Sequence, residues 1–152
     1  MTFVESPQLP QFQTAVVAQG LGKLGIQYNV PIPTLIPDMA LVKTAAVAIN
    51  PADAKMLDYS AAPGAIHGYH FAGTVVALGE NARAGLAAGD RVAGFVHGMN
   101  CLQPEIGAFA EYIGATADIL LKIPDSLSFE EGATTCLRKL SRKTSTSQFS
   151  IE

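Results

Sequence analysis

The stretch Ile-Asn-Pro-Ala-Asp-Ala-Lys, residues 49–55, places a carboxylate and an ammonium group close together just after an apolar run. Asn50 suits the N-cap of a helix and Pro51 its first position, while Asp53 falls in the first turn, where the helix dipole favours negative charge. Lys55 offers three donors on a mobile stem, which suit a polar contact with a ligand. The residues alone leave open whether this is an active-site edge or only an exposed helix start.

The histidines and cysteines give little support for a metal site or a nucleophile. His67 and His70 are close enough in sequence to approach one ion, but no third ligand lies beside them at zinc spacing. Cys101 and Cys136 form no CxxC pair and have no neighbouring base. We therefore predict no metal site, no disulfide framework and no cysteine nucleophile.

Motifs that bind phosphate are missing from the sequence. Neither GxGxxG nor GxxxxGK[ST] occurs, and there is no GxSxG nucleophile elbow. A complete nucleotide-binding domain is therefore not expected in this chain.

Composition and length predict one soluble domain. The chain has 152 residues, 49% of them apolar, and a formal net charge of -3. No apolar run reaches the length of a membrane span, and the N-terminus has no signal-peptide pattern, so a cytoplasmic location without membrane contact is predicted. The basic, Ser/Thr-rich residues 136–152 lack interleaved aromatic residues, which favours a solvated, disordered tail over a nucleic-acid patch.

The elements that must position these residues are short. Runs of β-forming residues alternate with Gly and Pro, which indicates a mainly β chain forming a barrel or sandwich. A second helix start is predicted where Ser128 and Glu131 form a capping box. The seven predicted β runs are 14–20, 24–33, 39–49, 71–79, 90–98, 107–115 and 119–124.

The order of four segments carries a family resemblance. INPADAK, GYHFAGTVVALGENARAGLAAGDRVAG, GAFAEY and KIPDSLSFEEGAT follow one another as in the N-terminal half of the medium-chain dehydrogenase/reductase superfamily. The chain is most similar to the zinc-free branch, and within it to the fungal trans-acting enoyl reductases of polyketide biosynthesis. The resemblance implies a GroES-like, partly open β-barrel with short helices over residues 12–135. It leaves 1–11 as an N-terminal extension and 136–152 as a divergent tail, with the Rossmann domain missing.

The resemblance also implies a cofactor and a site. In such reductases the tetrapeptide matching Ala52, Asp53, Ala54 and Lys55 lines the nicotinamide end of NADPH, and Lys55 is the candidate catalytic residue. The ligand positions of zinc-dependent relatives fall within NPADAK and on Tyr69, so no zinc is expected. His70 departs from the pattern, because relatives usually have an Asp at this position of the G-x-D-[FY]-A-G string.

The implied activity is reduction of an α,β-unsaturated thioester with NADPH. The substrate would be carried by the acyl carrier of a polyketide synthase or a polyketide synthase-peptide synthetase. Two alternatives stay open: an inactive GroES-like fragment that acts as a docking module, and a zinc-free quinone oxidoreductase-like enzyme. Without a Rossmann domain, we also expect apolar residues to be exposed, including Phe129 and parts of 107–112.

Overall fold

The computed structural model describes residues 9–82 and 85–135. Its strands confirm that the chain is mainly β, and each of the seven predicted β runs overlaps one strand. The elements in chain order are β1 (Phe12–Gly20), β2 (Lys23–Pro31), β3 (Met39–Ala48), α1 (Pro51–Ser60), β4 (His70–Leu78), β5 (Arg91–Phe95), β6 (Tyr112–Thr116), a 3₁₀ turn (Ala117–Ile119) and β7 (Leu121–Lys122). A second helix, α2, occupies residues 129–135.

The strands form two antiparallel sheets that do not close on each other. One sheet is the β1–β2 hairpin, and the other has the strand order β6-β3-β4-β5-β7. Backbone hydrogen bonds join the sheets: Val16 N–H donates to the Phe109 carbonyl at 2.8 Å, and His67 N–H donates to the Val16 carbonyl at 2.9 Å. This is the partly open barrel expected for a GroES-like domain, and within the described ranges no Rossmann half is evident.

The five-stranded sheet buries apolar side chains on both faces. The larger cluster is built around Phe71, Val42 and Ile113, each at most 1% exposed. The smaller cluster consists of alanines, among them Ala72 and Ala133, with Phe129 of α2 packed against it. The sheet is therefore a rigid base for the segments that leave its ends, including α1 and the segment that leads into β4.

Both predicted helix starts are present. Pro51 opens α1 behind the N-cap Asn50, and the helix ends before Pro63, which disfavours helical conformation in the residue ahead of it. Before α2, Ser128 N–H donates to the Glu131 carboxylate at 2.9 Å and Glu131 N–H donates to the Ser128 hydroxyl at 3.1 Å. That reciprocal pair is the predicted capping box.

The apolar residues Phe129 and those of 107–112 are buried or half-buried, so their expected exposure was wrong. Phe129 is half-buried, and the Arg91 guanidinium lies 4.4 Å from the centroid of its ring. Gly107, Ala108 and Ala110 are buried, because this segment crosses between the two sheets. The apolar side chains that are exposed lie elsewhere, among them Ile26 and Ile49 at 64% and 82% exposure.

The outer segments are only partly described. The predicted extension 1–11 lies mostly, and the predicted tail 136–152 wholly, outside the described residues, so both assignments stay predictions. In the described part of the chain, no helix is long and apolar enough to cross a membrane.

Candidate active site

The four predicted cofactor residues lie on the first turns of α1 but do not point the same way. Ala52, Ala54 and Lys55 are exposed, whereas Asp53 is 2% exposed. Helical geometry explains the difference, since one residue of each turn faces the body of the domain while its neighbours face outward. The structure therefore groups the four residues, with three available at the surface and one directed inward.

Asp53 holds the helix start from inside. Its Oδ2 accepts a hydrogen bond from the Asn50 N–H at 2.6 Å, which satisfies a backbone donor at the N-cap. Its Oδ1 is fully buried and has no hydrogen-bond partner in the described residues. The carboxylate thus fixes the N-cap with one oxygen and turns the other toward the protein interior.

The side chain of Asn50 forms hydrogen bonds with two groups outside α1. Its Nδ2 donates to the Ala48 carbonyl at 3.1 Å and lies 3.0 Å from His70 Nδ1. Because a carbonyl can only accept, the amide nitrogen must face it, and His70 Nδ1 is then the acceptor of the second hydrogen bond. The His70 proton therefore sits on Nε2.

His70 is a buried neutral imidazole. Burial lowers the pKa of His70, and the negative charge of Asp53 opposes that effect. His70 also packs against Phe95, with ring centroids 5.4 Å apart. Its hydrogen bond with Asn50 ties the start of β4 to the N-cap of α1.

His67 and Tyr69 are site residues that the sequence did not identify as such. His67 is 2% exposed and makes edge-to-face contacts with Phe109 and Tyr69, at centroid distances of 5.3 and 6.5 Å. Tyr69 stacks on Phe95 at 6.1 Å. A glycine between two ring-bearing residues was the available signal, because glycine permits backbone conformations that other residues disfavour.

Burial and the Asp53 charge act on both groups. Burial lowers the pKa of His67, while the Asp53 carboxylate and a backbone group of Asp53 raise it. Burial raises the pKa of Tyr69, and the Asp53 charge raises it further. His67 is therefore held neutral and Tyr69 protonated at neutral pH, beside a buried carboxylate.

Unusual backbone conformations surround these side chains. Gly68 has a φ of +92°, and a Cβ there would lie 2.3 Å from the Phe109 ring. Met99, which is 3% exposed, has a φ of +58° and donates its N–H to the Ile66 carbonyl at 2.8 Å. Left-handed backbone at a buried non-glycine residue is uncommon and is kept where the surroundings determine it.

A mostly apolar cleft of about 660 Å³ opens beside the start of α1. It reaches α1 through Ile49, the residue before the N-cap, and Val47 of β3 also lines it. The polar groups in its wall are engaged: Thr44 Oγ1 donates to the Ala110 carbonyl at 2.6 Å, and Glu111 Oε2 accepts the Thr14 N–H at 2.7 Å. The rest of the lining is Ala15, Val16, Ile26 and Phe109.

Across residues 9–82 and 85–135, no three His, Cys, Asp or Glu side chains come together as a possible metal site. Cys101 is an exposed free thiol, and Cys136 lies outside the described residues.

Comparisons with known proteins agree with this geometry. Residues 36–125 match the family model of the alcohol dehydrogenase GroES-like domain. Over 128 residues the chain is 66% identical to trans-enoyl reductase caaB of Aspergillus niger, covering 84% of this chain and 35% of that protein. It is 61% identical to trans-enoyl reductase traG of Penicillium crustosum over 128 residues, with the same two coverages. The chain thus spans about a third of the length of these relatives.

A solved structure with the same fold is the quinone oxidoreductase of Coxiella burnetii. It superposes with a TM-score of 0.70 at 25% identity, covering 86% of this chain and 45% of that one.

Proposed function

Because the chain belongs to the alcohol dehydrogenase GroES-like domain family, we propose that it works in a trans-acting enoyl reductase, reducing an α,β-unsaturated polyketide thioester with NADPH. The observation that carries the proposal is the 66% identity to a protein named as a trans-enoyl reductase, spread over 84% of this chain. That relative is about three times as long as the matched part, so the activity of the whole protein is proposed from one region.

The exposed first turn of α1 fits the nicotinamide end of the cofactor. Ala52 and Ala54 present only methyl groups, which leave room for a flat ring to approach the helix. Lys55 is exposed, and within the described residues no carboxylate forms an ion pair with it. Small side chains beside an available ammonium group are the features that a cofactor contact needs at this place.

The proposed chemistry divides between cofactor and protein. NADPH supplies a hydride to the alkene when it is bound. Lys55 donates a hydrogen bond to the cofactor or to the thioester carbonyl, where negative charge develops during reduction. Asp53 contributes from within the domain, by holding the N-cap that orients Lys55.

The proposed partner is the acyl carrier of a polyketide synthase or polyketide synthase-peptide synthetase, which presents the thioester. The support is the word trans-enoyl reductase in the names of both relatives. Cytoplasmic location remains a prediction from the sequence.

Turnover of a small thioester tests the activity. The chain is incubated with NADPH and a crotonyl thioester, and NADPH oxidation is followed with wild type, Lys55→Ala and Lys43→Ala. We expect Lys55→Ala to lower kcat/KM by about tenfold, which corresponds to one charge-assisted hydrogen bond of about 1.4 kcal/mol. Lys43 is an exposed lysine of β3, and its substitution should leave the rate unchanged. Equal rates for both variants would contradict the role of Lys55.

Two alternatives have their own observations. The fold shared with a quinone oxidoreductase favours a quinone as acceptor, and faster NADPH oxidation with a quinone than with the thioester would support it. The second alternative is an inactive docking module built from the matched GroES-like domain. Binding to an acyl carrier without any turnover would support that second alternative.

A further inference from the structure

A group of buried polar side chains lies beneath the exposed first turn of α1. Asp53 Oδ1, His67 Nδ1 and the Tyr69 hydroxyl are each fully buried, and each lacks a hydrogen-bond partner in the part of the chain that the structure describes. A buried polar atom without a partner is unfavourable, because it has lost its hydrogen bonds to water. We therefore expect the three atoms to gain partners in solution, from one another or from a bridging water.

The three side chains share one environment and have complementary chemistry. The ring centroids of His67 and Tyr69 are 6.5 Å apart. Asp53 is joined to the same segment through Asn50, whose N–H donates to Asp53 Oδ2 at 2.6 Å and whose Nδ2 lies 3.0 Å from His70 Nδ1. A carboxylate only accepts hydrogen bonds, a phenol donates, and a neutral imidazole does both, so the donor and acceptor roles of the three groups are complementary.

The backbone around this group is constrained on the side away from α1. A Cβ on Gly98 would lie 2.2 Å from the Gly68 carbonyl oxygen, so the segment carrying His97 is pressed against the segment carrying His67 and Tyr69. Met99 follows in the left-handed conformation. Strain of this kind concentrates at functional sites, where the neighbouring structure maintains it.

We propose that Asp53, His67 and Tyr69 form one buried hydrogen-bonded cluster, in which His67 is a positioning residue that acts through Asp53 on the first turn of α1. Asp53 connects the buried cluster to the helix start, because its Oδ2 accepts a hydrogen bond from the Asn50 N–H while its Oδ1 faces the interior. A change at His67 is thereby transmitted to the segment Ala52–Lys55. The catalytic meaning of that segment rests on the proposed function, but the cluster itself does not.

His67 is the group of the cluster that can change state near neutral pH. The titratable groups around it are Asp53 from α1, Tyr69 and His70 from the segment that enters β4, and His97, whose ring is 5.9 Å from that of Tyr69. Phe109 covers the remaining side with an uncharged ring. Protonation of His67 in acid creates an ion pair with Asp53 in place of neutral hydrogen bonding.

Nuclear magnetic resonance on the chain without cofactor tests the cluster. The ring nitrogens of the histidines and the amides of residues 52–55 are followed as the pH is lowered from about 7.5 to about 5, a range that brackets the ordinary histidine pKa. We expect the Ala54 and Lys55 amides to shift with the midpoint of His67. Asp53→Asn should move that midpoint to lower pH, because it removes the negative charge that raises the pKa of His67.

His70 provides the matched control, because it is also a buried neutral imidazole near Asp53. His67→Gln should abolish the part of the transition at residues 52–55 that has the midpoint of His67, and His70→Gln should retain that part. The proposal is overturned if the amides stay unchanged while His67 titrates, or if only His70→Gln removes the transition. If both glutamine variants unfold, Tyr69→Phe is measured instead. Unchanged chemical shifts of the His67 ring nitrogens in that variant would overturn the proposed cluster. No NADPH is present, so failure of the proposed enzyme activity leaves these outcomes unaffected.

Discussion

At the residue scale, the site depends on which way each side chain of one short segment points. Ala52, Ala54 and Lys55 face outward, and Asp53 faces a set of buried polar rings. The sequence predicted the helix start from Asn50 and Pro51, because capping preferences are local. It did not predict the inward direction of Asp53, since that depends on how α1 lies on the domain.

The buried histidines make stability depend on pH. Burial lowers the pKa of both His67 and His70 in the folded chain, whereas the unfolded chain has the ordinary histidine pKa of about 6.5. As the pH falls, the unfolded state therefore binds more protons than the folded state. The contribution of these histidines to the free energy of unfolding should be fully present above about pH 6.5 and should decrease below it. Urea unfolding at a series of pH values measures this.

A double variant supplies the control for that measurement. His67→Gln with His70→Gln should flatten the slope between about pH 6.5 and 5. The pKa values of Asp90 and Glu130 are also lowered. Asp90 accepts hydrogen bonds from Lys122 and from the Ala87 backbone, and Glu130 from its own backbone and from Ser128. The stabilisation that these carboxylates give is lost only in more acidic solution. Greater stability of the wild type at pH 5 than at pH 7 would contradict the assignment of neutral buried histidines.

At the element scale, the turn into β4 is the most constrained connection of the site. Gly68 combines a φ of +92° with close contact to Phe109, and it separates the two buried rings of His67 and Tyr69. Gly64, in the turn after α1, has a φ of +85° with no atom within 4 Å of an added Cβ. The two glycines share the backbone conformation and differ in available space.

Substituting alanine for Gly64 and for Gly68 separates the cost of the backbone conformation from the cost of the steric overlap. Gly64→Ala should lower the free energy of unfolding by about 1–2 kcal/mol, the cost of left-handed backbone for a residue with a Cβ. Gly68→Ala should cost about 1–3 kcal/mol more, because the methyl group overlaps the Phe109 ring. Urea unfolding curves of the two variants give the difference. Equal losses would show that the contact with Phe109 imposes no constraint.

The elements themselves were largely predictable from the sequence. Gly and Pro separate the β-forming runs, so the number of strands followed from local signals. Residues 107–111 were predicted as part of a strand but form only the isolated bridge of Ala110 with Ala15, because this segment joins the two sheets. Sheet order and the separate β1–β2 hairpin depend on long-range pairing, which one sequence does not reveal.

At the scale of the whole molecule, α1 begins where a cleft, an exposed helix turn and a buried polar cluster meet. The cleft is reached at Ile49, the exposed turn carries Lys55, and the cluster lies beneath it around Asp53. His67 and Tyr69 went unnoticed as site residues because their role depends on burial beneath α1.

Titration of the chain with NADPH tests the central claim most directly, with the backbone amides of residues 52–55 as the readout. The account predicts saturable shifts at Ala52, Ala54 and Lys55. It also predicts about tenfold weaker binding in Lys55→Ala, the equivalent of about 1.4 kcal/mol, with unchanged binding in Lys43→Ala. Saturating NADPH that leaves these amides unmoved, or moves only residues remote from α1, would contradict the assignment of this segment to the cofactor site.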